Sequence, residues 1–189
     1  VAAVITPTGV LMGADRIADE NGRRQPMTVP KIVTRGSLLI GVSGSARWLH
    51  RIRHWDDMPI PPWPTVETPR PSTYQKEGWL NTVFSDMVRK MASNTGMMLQ
   101  SDNKGEDVDP NLLIAWGQDI FSMARNFEVN HSSRDCYTIG SGRDECLGAL
   151  LALSGWDSKS RLNRALEITA ECCIGIEPPF DILSGGITI

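Results

Sequence analysis

The chain has 189 residues, 41% of them hydrophobic and 22% charged, with a net charge of −3. That size and balance suit one soluble domain with a substantial core. They exclude the basic field of a nucleic-acid binder, and no apolar run approaches the ~18 residues of a membrane span.

In chain order, Val1 to Ile5 is an apolar run, Thr6-Pro7-Thr8-Gly9 has turn chemistry, and Val10 to Ala14 returns as a strand ending at Asp15. The small Ala2, Ala3, Gly13 and Ala14 predict close packing there. Residues 16 to 30 are polar, contain Gly22 and Pro26, and read as a loop or an edge hairpin. Lys31 opens the next strand, Arg35-Gly36 turns it, and Ser37 to Val42 returns to a corner at Ser43-Gly44-Ser45. Trp48, Leu49 and Ile52 then recur at helical spacing.

Six prolines between Pro59 and Pro71 exclude a helix or central strand, so residues 57–72 are expected to form an extended connector or arm carrying Trp63. Tyr74 to Met98 has a helical pattern, residues 100–110 read as an acidic loop, and Leu112 to Ala124 reads as a hairpin turning at Gly117-Gln118. A short strand over Cys136–Ile139 ends in Gly140-Ser141-Gly142, where a helix starts. Asp157 is placed to cap a second helix running to Cys172, and the tail from Phe180 supplies a last strand. Strands, helices, strands, helices and strand, in that order, predict helix pairs layered on packed antiparallel sheets in one domain over 1–189.

The ordered set is more specific than any of its parts. Gly-Ala-Asp-Arg ends a strand at Gly13–Arg16, and Lys31 follows sixteen residues after Asp15. Gly-Val-Ser-Gly-Ser spans 41–45, Ile-Gly-Ser-Gly spans 139–142 before Leu147-Gly-Ala-Leu150, and Arg-Ala-Leu-Glu-Ile-Thr-Ala-Glu-Cys-Cys spans 164–173. This set resembles the N-terminal-nucleophile hydrolases of proteasome β type, best the HslV-like proteins of bacteria, including actinobacteria, and their phages. The likeness covers nearly the whole chain except the Pro-rich connector and the acidic loop. It implies an α+β fold, a four-layer αββα sandwich.

The resemblance also implies a mechanism: an N-terminal Thr hydroxyl attacks a peptide carbonyl with the chain's own α-amine as base. Asp15 matches the aspartate that orients a lysine, and Lys31 matches that lysine. Gly44, with Ser45 beside it, matches the oxyanion corner, and Ser141 matches the serine of the Gly-Ser-Gly turn. Two departures stand out. Near Cys173 the family has an aspartate and a serine, and neither type is present. Val1 carries no nucleophile, and a gap-free count from Asp15 and Lys31 puts the family's nucleophile two residues before it. The expectation is therefore a threonine-type peptidase if a Thr precedes Val1, and an inactive subunit if the chain starts at Val1. In the second case it would be an oligomer-forming structural or assembly protein, possible for a phage-encoded virion or assembly component.

Simpler roles compete with these. Asp15 and Lys31 could be a structural ion pair, Ser141 a helix cap, and Gly44-Ser45 a turn requirement. Cys136, Cys146, Cys172 and Cys173 form no CxxC and read as buried reduced thiols. His50, His54 and His131 lack metal spacing, and no metal or other cofactor is implied. Trp55 and Trp63 flank the arm and make a protein-binding surface there conceivable. The expected partners are copies of the same chain in a ring or larger assembly, and a peptide substrate if active, with no nucleic acid and no membrane. The expected location is cytoplasmic, or the virion if the protein is phage-encoded.

Overall fold

A computed structural model describes residues 1–20, 23–63, 70–100, 106–108 and 110–186. Two antiparallel sheets face each other. The first is ordered β12 (Cys136–Thr138), β1 (Ala2–Thr6), β2 (Gly9–Ala14) and β13 (Asp181–Gly186). The second is ordered β11 (Val129–His131), β10 (Asp119–Met123), β9 (Asn111–Trp116), β6 (Leu38–Ser43) and β5 (Ile32–Arg35). Each sheet has apolar residues on both faces, so each is sandwiched between its partner sheet and a helix layer.

Three apolar clusters fill the three gaps. Ala3, Val10, Met12, Ile32, Leu39, Leu113 and Ile120 meet between the sheets. Ala2, Val4 and Cys136 pack against α4 (Arg143–Ala152) and α5 (Ser158–Cys172) through Leu150, Leu162, Ala165 and Leu166. The largest cluster lies under α1 (Ala46–Arg53), α2 (Thr73–Trp79) and α3 (Ser85–Asn94), where Ile40, Ile114 and Phe121 meet Trp48, Ile52, Trp79, Phe84 and Val88. The result is the expected four-layer αββα sandwich.

The small residues of β1 and β2 have a physical reason. Alternate positions of these strands touch α5 on one side and the second sheet on the other, and Ala2, Ala3 and Ala14 are all fully buried. The turn at Thr6–Gly9 and the hairpin at Gly117-Gln118 form as expected. Asp157 caps α5, its carboxylate accepting from the Ser160 N–H at 3.1 Å.

Residues 16 to 30 take the hairpin form of the two expected, β3 (Ile17–Glu20) with β4 (Arg23–Pro26). Three expectations change. The helix expected over 74–98 starts at Thr73, ends at Asn94 and is broken by a wide π turn at Leu80–Phe84; Asn81 in that turn exchanges hydrogen bonds with the Val129 backbone, tying the helix to β11. The acidic loop is partly strand, with β7 (Met98–Gln100) pairing β8 (Glu106–Val108); residues 101–105 and 109 lie outside the described residues. Cys136 and Cys146 are buried thiols, but Cys172 is exposed and Cys173 only half-buried, because α5 ends there. Residues 64–69 of the Pro-rich connector lie outside the described residues, while its Trp63 packs on Trp116 with ring centroids 6.2 Å apart. No helix among the described residues is long and apolar enough to cross a membrane.

Candidate active site

The site forms where strands of both sheets end on the same side. Asp15 follows β2 and is 5% exposed. A lone carboxylate at that depth would be costly. Both its oxygens lie 2.9 Å from the Lys31 ammonium, and Oδ2 also accepts from the Ile17 N–H at 2.9 Å. Lys31 stands one residue before β5, on the other sheet, so this ion pair closes the gap between the sheets.

Two glycine-containing corners flank the pair. β6 ends in Ser43-Gly44-Ser45, and Gly44 has φ +114°, a backbone that side-chain-bearing residues rarely adopt. Ser45 precedes α1 without capping it through its side chain. Opposite, β12 leads into Gly140-Ser141-Gly142 at the start of α4. Ser141 is exposed and is not the helix cap; Gly142 holds that position, with no side chain capping the helix. The cap reading of Ser141 is thereby replaced.

Val1 lies between these corners. Its nitrogen donates to the Ile139 carbonyl at 3.0 Å, and Ile139 donates back to the Val1 carbonyl at 2.9 Å. Its side chain packs onto β6 at Gly41, where an added Cβ would stand 2.5 Å from Val1 Cγ1 and 2.9 Å from the Met12 sulfur. Burial pushes an amine at this position below its usual range, with Lys31 acting the same way and Asp15 opposing it. Burial also pushes the Cys146 thiol up, away from the reactive thiolate.

A groove of about 1000 Å³ collects these groups. Asp15, Lys31, Gly44, Ser45 and Ser141 all line it, together with Val1. Sequence reading missed other walls: Met27 and Val29 beyond β4, Arg47 and His50 of α1, Arg143 of α4, and Cys146 and Thr169 at its inner side. Their contribution depends on long-range packing, and only the α1 periodicity hinted at which of its residues face outward. Where the family resemblance implied a late acid and serine, Cys173 lies against Gly142, its sulfur 3.3 Å from where a Cβ would stand. His50 and His54 stack at 6.4 Å, and no group of three or more His, Cys, Asp or Glu side chains among the described residues is placed to hold a metal.

Two facing antiparallel sheets enclosed between two helix layers are the architecture of the proteasome β-type fold. Solved structures agree. BPH from Thiobacillus denitrificans, in complex with epoxomicin, superposes with a TM-score of 0.77 at 19% identity, over 100% of this chain and 98% of that one. HslV from Trypanosoma brucei matches with a TM-score of 0.65 at 15% identity over 97% of both chains. Anbu, an ancestral β-subunit from Yersinia bercovieri, matches at 0.62 and 13% identity over 96% of this chain and 79% of that one. At these identities the likeness establishes a shared fold. No protein-family model matches the chain, and no curated protein is similar to it in sequence.

Proposed function

We propose that the protein is a threonine-type peptidase subunit whose nucleophile is carried two residues ahead of Val1. The register of β1 carries this reading. Ala2 pairs with Thr138 and Val1 exchanges both hydrogen bonds with Ile139. Extending β1 backwards along its direction brings a residue two positions earlier to the Gly140-Ser141-Gly142 corner. Side chains alternate along a strand, so that residue shares the facing of Val1, whose side chain points at β6. It therefore faces the sheet that carries Lys31 and Gly44.

In this arrangement the Lys31 ammonium favours deprotonation of the hydroxyl, and Asp15 holds the ammonium in place. The chain's α-amine takes the proton, and the Gly44 corner supplies the backbone donor for the developing oxyanion. The Thiobacillus BPH, a neighbour in fold, is solved in complex with epoxomicin, in keeping with a ligand-binding role for a protein of this fold. We also propose that the subunit works as a homo-oligomer, as the likeness to the proteasome-type fold suggests.

The intact mass of the mature native protein tests the reading directly. A Thr heading the chain two residues before Val1 is expected, with hydrolysis of fluorogenic peptides. Replacing that Thr by Ala, or Lys31 by Ala, should lower kcat by at least about a hundredfold. A mature chain beginning at Val1, or hydrolysis indifferent to Lys31→Ala, would sink it. The second reading, an inactive assembly subunit, rests on Cys173 standing where the resemblance implied polar support for the amine; it predicts the Val1 terminus and no hydrolysis.

A further inference from the structure

Among the described residues, no ion pair neutralises the arginines on the outer face of α1. Trp48, Leu49 and Ile52 are its buried side, and the helix contains no acid. Arg47, His50, Arg51 and His54 fall at steps of three, one and three, which places them on one face, and all four are exposed. Arg47 donates to a neutral group, the Thr95 carbonyl, at 2.8 Å. Arg53 points the other way, donating to the Pro30 carbonyl at 2.5 Å. The nearest acids along the chain, Asp56 and Asp57, follow His54 at the end away from the groove and are exposed.

This face begins inside the groove, since Arg47 and His50 line it. Across from it, on the sheet-one side, Arg143 also lines the groove. Its one ion pair among the described residues is with its neighbour Asp144 at 3.4 Å, both side chains largely in solvent. The remaining charged residues lining the groove, Asp15 and Lys31, cancel in their own ion pair. Among the described residues, the groove lining therefore carries a net positive charge, in a chain whose net charge is −3. Low-dielectric walls focus such a field.

We propose that the groove selects acidic peptide segments, with substrate carboxylates lying along α1 over Arg47 and Arg51 and a further one reaching Arg143. The inference deepens the peptidase reading by naming the substrate class, and it rests on that reading for turnover. Binding alone tests it separately. Two fluorescein-labelled octapeptides with the same apolar centre, one flanked by four Glu and the other by four Lys, are titrated into the full-length protein and followed by anisotropy.

At low salt the Glu peptide should bind about tenfold tighter, from a few partly exposed charge pairs acting together, and the advantage should shrink at about 0.3 M salt. R47E/R51E should abolish or reverse the preference, and R143E, which leaves α1 untouched, should reduce it. K90E/K159E, an equal charge change on other helices, should not. Equal affinities for the two peptides, or a preference that survives both R47E/R51E and R143E, overturns the proposal whether or not peptides are cleaved. Selective binding of the Glu peptide without cleavage supports it and counts against the peptidase reading instead.

Discussion

Lys31 and Asp15 illustrate how little freedom the site leaves its charged side chains. The lysine side chain is 20% exposed and the aspartate 6%, and each is the other's counter-ion. Buried ion pairs contribute little net stability, but breaking one leaves an uncompensated charge. Lys31→Met is therefore expected to lower the unfolding free energy by about 2–4 kcal/mol in urea denaturation at pH 7. The double change Lys31→Met with Asp15→Asn should recover part of that loss. A structural ion pair alone predicts this too, so hydrolysis separates the roles: the double variant regains stability but not activity. Gly41 is a second single-residue control. A methyl group there would stand too close to the Val1 and Met12 side chains, so one or both must shift. Gly41→Ala should cost about 1–3 kcal/mol and displace the start of β1 from its place beside Ile139.

At the scale of elements, α5 is fixed by one buried arginine. Arg161 is 3% exposed; its Nε donates to the Leu150 carbonyl at 2.8 Å near the end of α4, and its guanidinium reaches Asp135 just before β12. That hydrogen bond holds the Asp135 carboxyl below its ordinary range, with burial opposing it. A depressed carboxyl stabilises the fold fully above its unfolded value, and the contribution disappears as pH falls through the lower folded value. Asp135 is more than half exposed, so solvent screens the pair. Asp135→Asn should cost about 1 kcal/mol at pH 7, and the gap between wild type and variant in urea midpoint should close as the pH drops below about 4. A gap independent of pH would mean that Asp135 acts through packing alone.

The same scale explains which features were readable in the sequence. Strands with local turn chemistry, such as the hairpins at Thr6–Gly9 and Gly117-Gln118, were legible because the signal lies within a few residues. So were Asp15, Lys31, Gly44 and Ser141, whose order along the chain resembled a known family and which the fold brings to one groove. β11 was not, because a three-residue strand is held by Asn81, 48 residues away. Arg143 and Thr169 were likewise hidden, since they reach the groove only after α4 and α5 pack on the first sheet.

For the whole molecule, the Pro-rich arm decides between two arrangements. If it reaches out to another subunit, its Trp63 should matter for assembly. The structure instead seats Trp63 on the subunit's own core, beside Trp116, which itself packs edge-on to Trp79 at 5.5 Å. Trp116 is the last residue of β9, so the arm's start covers the end of the second sheet. Trp63→Ala should remove part of that cover and lower stability by about 1–3 kcal/mol, less than a fully buried tryptophan because Trp63 is only partly enclosed. The sedimentation coefficient should stay at the wild-type value under conditions where the variant is folded. Trp156, 54% exposed beyond α4, near the 44%-exposed Leu151, is the contrasting position. Large apolar side chains left in solvent five residues apart fit a surface covered by another copy. Trp156→Glu should leave the urea midpoint of the isolated subunit nearly unchanged and reduce the sedimentation coefficient. The reverse pattern, assembly lost with Trp63→Ala and kept with Trp156→Glu, would place the arm, not the α4 end, between subunits.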